Sequence, residues 1–346
     1  MRRSALETLR SARARVNEWT SRRALILLYH RVAETESDPW GLAVSPKHFE
    51  EQLQVLRQYA SIIPLSALCD SIDRARLPRR SFVVTFDDGY ADNLLNAKPL
   101  LEKYDVPAMV FITAGYTGGD REFWWDELDR LFLLSDNLPD TLRLRINGKY
   151  YHWDIENDHQ AGAGACHQNW RACQEDAEPH PRHALYMAIW ELMHQLPEHQ
   201  RNQIRNELIE WTISTGKARS THRPLSEEQL IELTGDGLIE AGCHTVTHPK
   251  LASLDQDSQR DEIVRSKKRL EEILDRPVKY FAYPYGQERD YTEETVRIVR
   301  EEGFTCGCAT SVGFVGRDAD PFQLPRLQVP DIDGESFERL LTSFRI

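Results

Sequence analysis

Several things are scarce in this 346-residue sequence. No run approaches the roughly 18 apolar residues that a membrane-spanning helix requires. No CxxC pair occurs. The six cysteines, Cys69, Cys166, Cys173, Cys243, Cys306 and Cys308, are scattered, which argues against a cysteine-built zinc site and for reduced, buried thiols. Positive charge is not in excess: 43 Lys and Arg stand against 55 Asp and Glu, a net −12. That balance argues against a nucleic-acid binder, because phosphate contacts need a basic surface. Residues 1–23 lack the continuous apolar stretch of a secretory signal. The expected location is therefore the cytoplasm, at most peripheral to the inner face of a membrane. No internal repeat is visible.

What is present is a chain of ordinary globular composition, 40% hydrophobic, with three changes of texture. Residues 1–23 carry seven Arg against two Glu, with Leu6, Leu9, Ala12, Val16 and Trp19 at helical spacing. This predicts a basic amphipathic helix, packed on the body or a partner subunit, or resting on anionic lipid. From 24 to 119 short apolar runs alternate with helical patterns. Leu25–Tyr29, Ser81–Phe86 and Ala108–Ile112 read as buried parallel strands. Ser45 and Pro46 open a helix between the first two.

Residues 120–222 break the pattern. They hold eight of the twelve His and a hairpin signature around Asn147-Gly148, then a polar loop at 156–182 and helix-like patterns from 183. This segment is read as an insertion, its histidines on the surface. From 223 to 346 the alternation resumes, with a Ser226/Gln229 capping box, strands ending near Cys243 and Tyr283, and a strand over 304–309 with Cys306 and Cys308 on one core face. Strand–helix alternation on both sides of the insertion predicts an α/β fold with a parallel sheet, closed or nearly closed into a barrel. Chemistry then belongs at the C-terminal ends of the strands, where Asp87, Asp88, His244 and Pro284-Tyr285-Gly286 fall.

Thr85-Phe86-Asp87-Asp88-Gly89 places two carboxylates together at a strand end. They repel unless a cation lies beside them, though Asp-Asp-Gly also suits a plain turn. His244 and His248, four apart, aim at one ion if the segment forms a helical turn, and read equally as unrelated polar residues. Together, one carboxylate and two imidazoles leave a divalent ion open positions for water and substrate, as in catalytic sites. The second carboxylate can serve as base.

These residues resemble the polysaccharide deacetylase family, the carbohydrate esterase family 4 or NodB-like proteins, over roughly 24–118 and 223–330. The resemblance implies a distorted (β/α) barrel. T-F-D-D-G at 85–89 implies Asp87 as base and Asp88 as metal ligand. H-[ST]-x-x-H implies His244 and His248 as the other ligands, and P-[YF]-G implies the Tyr285 backbone N–H on the oxyanion. Two motifs depart. Ala282-Tyr283 stand where the third motif carries Arg before its proline. The L-x-H that supplies the general acid near the family's C-terminus is absent there, but Leu28-Tyr29-His30 ends the first strand. In a closed barrel the first and last strands are neighbours. The sequence therefore resembles the circularly permuted members that act on poly-N-acetylglucosamine, with His30 as general acid and Arg326 orienting Asp87.

The implied activity is metal-dependent hydrolysis of an N-acetyl group, or an O-acetyl or formyl group, on a sugar of a surface polysaccharide, a lipid-linked glycan or its precursor. One divalent ion is implied, zinc by default, with Fe, Co, Mn and Ni suited to the same ligands. The altered third and fifth motifs leave a catalytically weak carbohydrate-binding or assembly protein as the alternative. An iron oxygenase on the same ligands is disfavoured by the paired aspartates. Trp40, Trp124 and Trp125, the last two with Asp126 beside them, read as packing at the root of the insertion or as sugar-facing rings.

Overall fold

The computed structural model describes residues 22–74, 77, 79–135, 138–155, 165–172, 180–214 and 216–344. The predicted helix over 1–23 falls almost wholly outside the described residues, and Arg22 and Arg23 are not helical.

Strand β1, Ala24–Tyr29, is buried at every position, as a parallel strand covered on both faces must be. Helix α1, Pro46–Tyr59, follows with Ser45 as N-cap, its side chain accepting from His48 N–H. The short β2, Ser61–Ile62, lies beside β3, Ser81–Phe86. Strand β4 is Ala108–Ile112. The hairpin β5, Thr141–Ile146, and β6, Lys149–Asp154, turns at Asn147 and Gly148, both with positive φ, as a two-residue hairpin turn requires. Helices α2, Pro181–His194, and α3, Glu198–Trp211, complete the insertion. Strand β7, Ile239–Cys243, helix α4, Gln256–Leu274, and strands β8, Tyr280–Ala282, β9, Cys306–Cys308, and β10, Arg326–Gln328, follow.

The main sheet runs β9-β8-β7-β4-β3-β1-β10, every pairing parallel. Leu324, two residues before β10, bridges to Cys308 in β9, so the ends of the sheet nearly meet. This is the predicted nearly closed barrel, and its first and last strands are hydrogen-bonded neighbours as expected. Cys306 and Cys308 pack together in the barrel interior with Ile26, Val83 and Phe111, and Cys69 and Cys243 are likewise buried free thiols.

The insertion has a separate apolar core, built by Phe123, Phe132, Leu185 and Leu208 among others, that reaches down onto Tyr90 and Tyr116 of the barrel. Two ion pairs with buried carboxylates and partly exposed arginines fasten it, Glu122 with Arg219 at 2.7 Å and Glu127 with Arg205. Its histidines do not all lie on the surface as predicted. His152 and His199 do, but His167, His183, His194 and His222 are buried. His167 and His183 share a 3.1 Å hydrogen bond, which satisfies one ring nitrogen of each inside the apolar core and so permits their burial.

Candidate active site

Side chains along a strand alternate between faces, and that parity builds the site. In β3, Phe82, Val84 and Phe86 pack outward against the helices while Val83 faces the barrel interior. Two and four positions on from Val83 come Thr85 and Asp87. In β1, Ile26 is inward, which brings Leu28 and then His30 to the same face. In β7, Cys243 is outward, so His244 turns in. Asp87, Asp88, His30, His244, His248 and Tyr285 all line one cavity of about 760 Å³ at the C-terminal end of the barrel.

Asp87 is buried and gripped by Arg326. Nη1 donates to Oδ1 and Nη2 to Oδ2, each at 2.7 Å, the two-pronged geometry that makes Arg–carboxylate pairs strong. Arg326 Nε donates to the Ala309 carbonyl at 2.8 Å, which fixes the fork. Burial alone would raise the Asp87 carboxyl. The charge and the hydrogen bonds of Arg326 outweigh it and hold the group below its ordinary value, so Asp87 is an anion at neutral pH.

Asp88 is its opposite. Burial first, then the charges of Asp87 and Asp126, push its carboxyl well above the ordinary value. Its Oδ1 is buried with no hydrogen-bond partner among the described residues. It stands 3.6 Å from His244 Nε2 and 3.4 Å from His248 Nε2. Burial lowers the pKa of both imidazoles, so each is neutral, the form that binds metals. His244 Nδ1 pairs with the Ala282 carbonyl at 2.8 Å, leaving the Nε2 lone pair directed at Asp88. One donor atom from each of Asp88, His244 and His248 lies within 4.8 Å of the others. An orphaned carboxylate oxygen, two neutral imidazole nitrogens and an uncompensated buried acid fit a divalent cation.

The histidines do not converge through a helical turn as predicted. Residues 244–248 form an irregular loop in which Thr245 and His248 have φ of 64° and 54°. Asp88 and Tyr285 also lie in the left-handed region, with φ of 71° and 60°. Such backbone is strained for side-chain-bearing residues, Thr above all, and persists where the surroundings dictate it. Here they do. Ala114 and Gly115 N–H donate to the Thr245 and Val246 carbonyls at 3.0 and 2.8 Å. A Cβ on Gly115 would come within 2.5 Å of the Val246 oxygen. Glu262 of α4 accepts from the N–H groups of Val246 and Thr247, both at 2.9 Å. Arg201 of α3 donates to the Thr247 and His248 carbonyls at 2.7 and 3.1 Å.

Sequence reasoning missed Arg201 and Glu262. The signal for Arg201 was its place in the buried stripe of α3 with Ile204 and Leu208, where a cation demands a partner. Also missed were Trp190 and His194 on the cavity wall. Of the three tryptophans singled out, Trp40 and Trp125 line the cavity, and Trp125 packs 4.7 Å from the His248 ring. Trp124 is buried behind them.

Trp125 Nε1 donates to Tyr90 OH, which donates to Asp126 Oδ2, each at 2.8 Å. Burial pushes Asp126 up to about 7 against the pull of Arg31 and Arg219. The folded state thus keeps a proton that the unfolded chain has released, and stability falls as pH rises from about 4 until the group ionises near 7. Asp126→Asn keeps an acceptor for Tyr90 and removes the titration. Urea unfolding of the metal-free protein should show the variant gaining on wild type from pH 4.5 to 7. The advantage should level off above that at up to about 4 kcal/mol; a constant difference across the range would contradict it.

The polysaccharide deacetylase family profile matches residues 74–133 and 204–307. Residues 134–203, inside the segment read as an insertion, lie between the two matched stretches. The Bacillus subtilis protein YxkH, named as a candidate polysaccharide deacetylase, is 21% identical over 323 residues, 92% of this chain and 76% of its own length. A poly-β-1,6-N-acetyl-D-glucosamine N-deacetylase of Staphylococcus aureus is 31% identical over 108 residues, 28% of this chain and 37% of that protein. Among solved structures, the Streptococcus pyogenes deacetylase PplD in complex with acetate superposes with TM-score 0.56 at 18% identity, covering 92% of this chain and 97% of that one. IcaB from Ammonifex degensii gives 0.55 at 20%, covering 93% and 97%. Motif, barrel and profile agree, and the chain carries a polysaccharide deacetylase domain.

Proposed function

We propose that this protein removes the N-acetyl group from a hexosamine of a surface polysaccharide, or of its lipid-linked or precursor form, with a divalent ion held by Asp88, His244 and His248. One observation carries the reading: an ionised carboxylate, Asp87, clamped by Arg326 beside a metal-shaped trio of donors on the floor of an open cavity. The likeness to a poly-β-1,6-N-acetyl-D-glucosamine N-deacetylase supports the substrate class.

The bound ion supplies Lewis-acid polarisation of the acetyl carbonyl and acidifies a water. Asp87 accepts the proton of the attacking water. Arg326 keeps it ionised and fixes the orientation of both oxygens. The Tyr285 peptide N–H is assigned to the developing oxyanion, where a fixed donor is most effective. His30, on the cavity wall, delivers a proton to the departing amine. Burial pushes its imidazole below its ordinary value, so that, once protonated, it gives up the proton readily. Zinc is the default ion, and Fe(II), Co, Mn and Ni suit the same donors. The buried free thiols support a reducing, cytoplasmic site of action, with the basic 1–23 segment as contact to the inner membrane face. Fractionation of cells expressing the full chain and one lacking 1–23 tests this. Among the described residues no helix is long and apolar enough to cross a membrane.

The test is acetate release from N-acetylglucosamine oligomers. Release that stops with chelator and returns with about one equivalent of zinc supports the proposal. Release indifferent to chelator, or none from any acetylated glycan, contradicts it.

Arg201 gives a second expectation. Arg201→Met strips the donors from the Thr247 and His248 carbonyls, and a shell that orients ligands is worth about 10–100-fold in metal affinity. Competitive zinc titration should show a loss of that size. An unchanged affinity would mean that the loop holds itself.

A further inference from the structure

The loops that carry His248 and Tyr285 run on past the proposed metal site, and each brings a cation to the cavity wall. Lys250 stands two residues after His248 and Arg289 four after Tyr285, and both line the cavity. Ala252 N–H donates to the Asp290 carbonyl at 2.9 Å, which ties the two loops together. Neither cation has a full partner. The Lys250 side chain is only 16% exposed, and its one ion pair, to Asp290 Oδ1, is 3.8 Å long, beyond hydrogen-bond reach. Its three ammonium donors meet no acceptor among the described residues. Asp290 is committed elsewhere, its Oδ2 accepting from Gln287 N–H at 3.0 Å. Arg289 is exposed and pairs with no acid among the described residues.

The neighbouring wall feels these charges. The His194 imidazole is pushed down to about 4, by burial first and then by Lys250, Arg289 and Arg201. Glu191, on the same lining, is exposed to solvent, where its charge is screened. A chain of net charge −12 thus keeps one side of its cavity positive. A nearly buried ammonium is costly without an anion to receive its hydrogen bonds, and the anion that fits must come from outside the protein. A phosphoryl group matches both cations. It can carry two negative charges and offers three oxygens, an ammonium binds it as a point charge, and a guanidinium binds it with two prongs. A lone carboxylate would match one of the two. Both cations belong to the loops that carry a ligand and the oxyanion N–H, so the anion would lie beside the sugar being deacetylated.

We infer that Lys250 and Arg289 form a subsite for a phosphoryl group esterified to the N-acetylhexosamine, so that the substrate is a glycosyl phosphate or diphosphate. The inference rests on the proposed deacetylase reading and narrows it to the precursor or lipid-linked form. A nucleotide and a lipid carrier present the same phosphoryl chemistry to these two side chains.

The test compares N-acetylglucosamine 1-phosphate with the uncharged methyl glycoside of the same sugar. With wild type, KM for the phosphate should be about tenfold lower. Lys250→Met should raise it about tenfold with kcat little changed and the methyl glycoside unaffected. Lys250→Arg keeps the charge and should retain most of the preference. Arg289→Gln, at a more exposed cation, should cost about threefold. A bound metal ion attracts phosphate in wild type and variants alike, so the differences between them isolate the two side chains. A uridine diphosphate sugar and a prenyl diphosphate sugar in detergent form the two further arms, and the one with the lower KM identifies the carrier. Calorimetric binding of the phosphate and the methyl glycoside to Asp87→Asn protein reads the preference without turnover, so the subsite is tested even where no deacetylation is found. Equal affinity for the two, a Lys250→Met loss that is the same for both, or a stronger preference for a uronic acid neighbour than for phosphate would overturn the inference.

Discussion

Asp87→Asn lowers kcat for N-acetyl hydrolysis by about 10³, within the span expected for removing a positioned base, and leaves bound metal in place. The variant also abandons Arg326. A fully buried guanidinium without its carboxylate costs about 3–5 kcal/mol, so rates must be read well below the variant's melting temperature. The two losses can be separated. In Asp87→Asn/Arg326→Met the unpaired charge is gone, and stability should recover by much of that amount while activity does not. Recovery of activity together with stability would show that the pair only braces the barrel. Arg326→Met alone exposes the other half of the argument. Without the guanidinium, burial dominates Asp87 and raises its carboxyl. The rate should then rise with pH over a range where wild type is already flat, because the base must first lose a proton.

His30→Gln lowers kcat for the amide by about 10²–10⁴, with KM little changed, since an amine departs poorly without a proton. An aryl acetate, whose leaving group needs none, should lose less than about tenfold in the same variant. Comparable losses on both substrates would make His30 a structural strand-end residue. Its ring opens onto the cavity, and its backbone carbonyl is already tied by Asn93 Nδ2 at 2.9 Å, so the substitution leaves the local backbone supported.

Strand parity explains why so much of the site was legible. Val83, Thr85 and Asp87 share a face, as do Ile26, Leu28 and His30, and a sequence records which residues lie two apart. The buried strands were legible for the same reason: runs such as Ala24–Tyr29 are apolar at every position. What parity cannot record is a loop. The approach of His248 to Asp88 depends on positive φ at Thr245 and His248, imposed by Gly115, Glu262 and Arg201 from distant elements. Nothing in His-Thr-Val-Thr-His announces it. The insertion was opaque for a related reason. Its histidines look like surface residues in a polar stretch, yet His183 is buried, and so are Arg182, Arg201 and Glu122. Their partners lie far along the chain, as with Arg201 and the His248 carbonyl. Trp190 was lost in an amphipathic helix because the cavity it faces is made by Trp40 and Tyr285.

The claim beneath all of this is that Asp88, His244 and His248 together hold one catalytic cation. Metal content of the purified, zinc-dialysed protein, measured alongside Asp88→Asn, His244→Ala and His248→Ala variants, tests it directly. The account predicts that the ion that supports acetate release is present at about one per chain in wild type and is lost or weakened by orders of magnitude in each of the three. Undiminished binding of that ion in all three variants, or full activity in any of them, would contradict it.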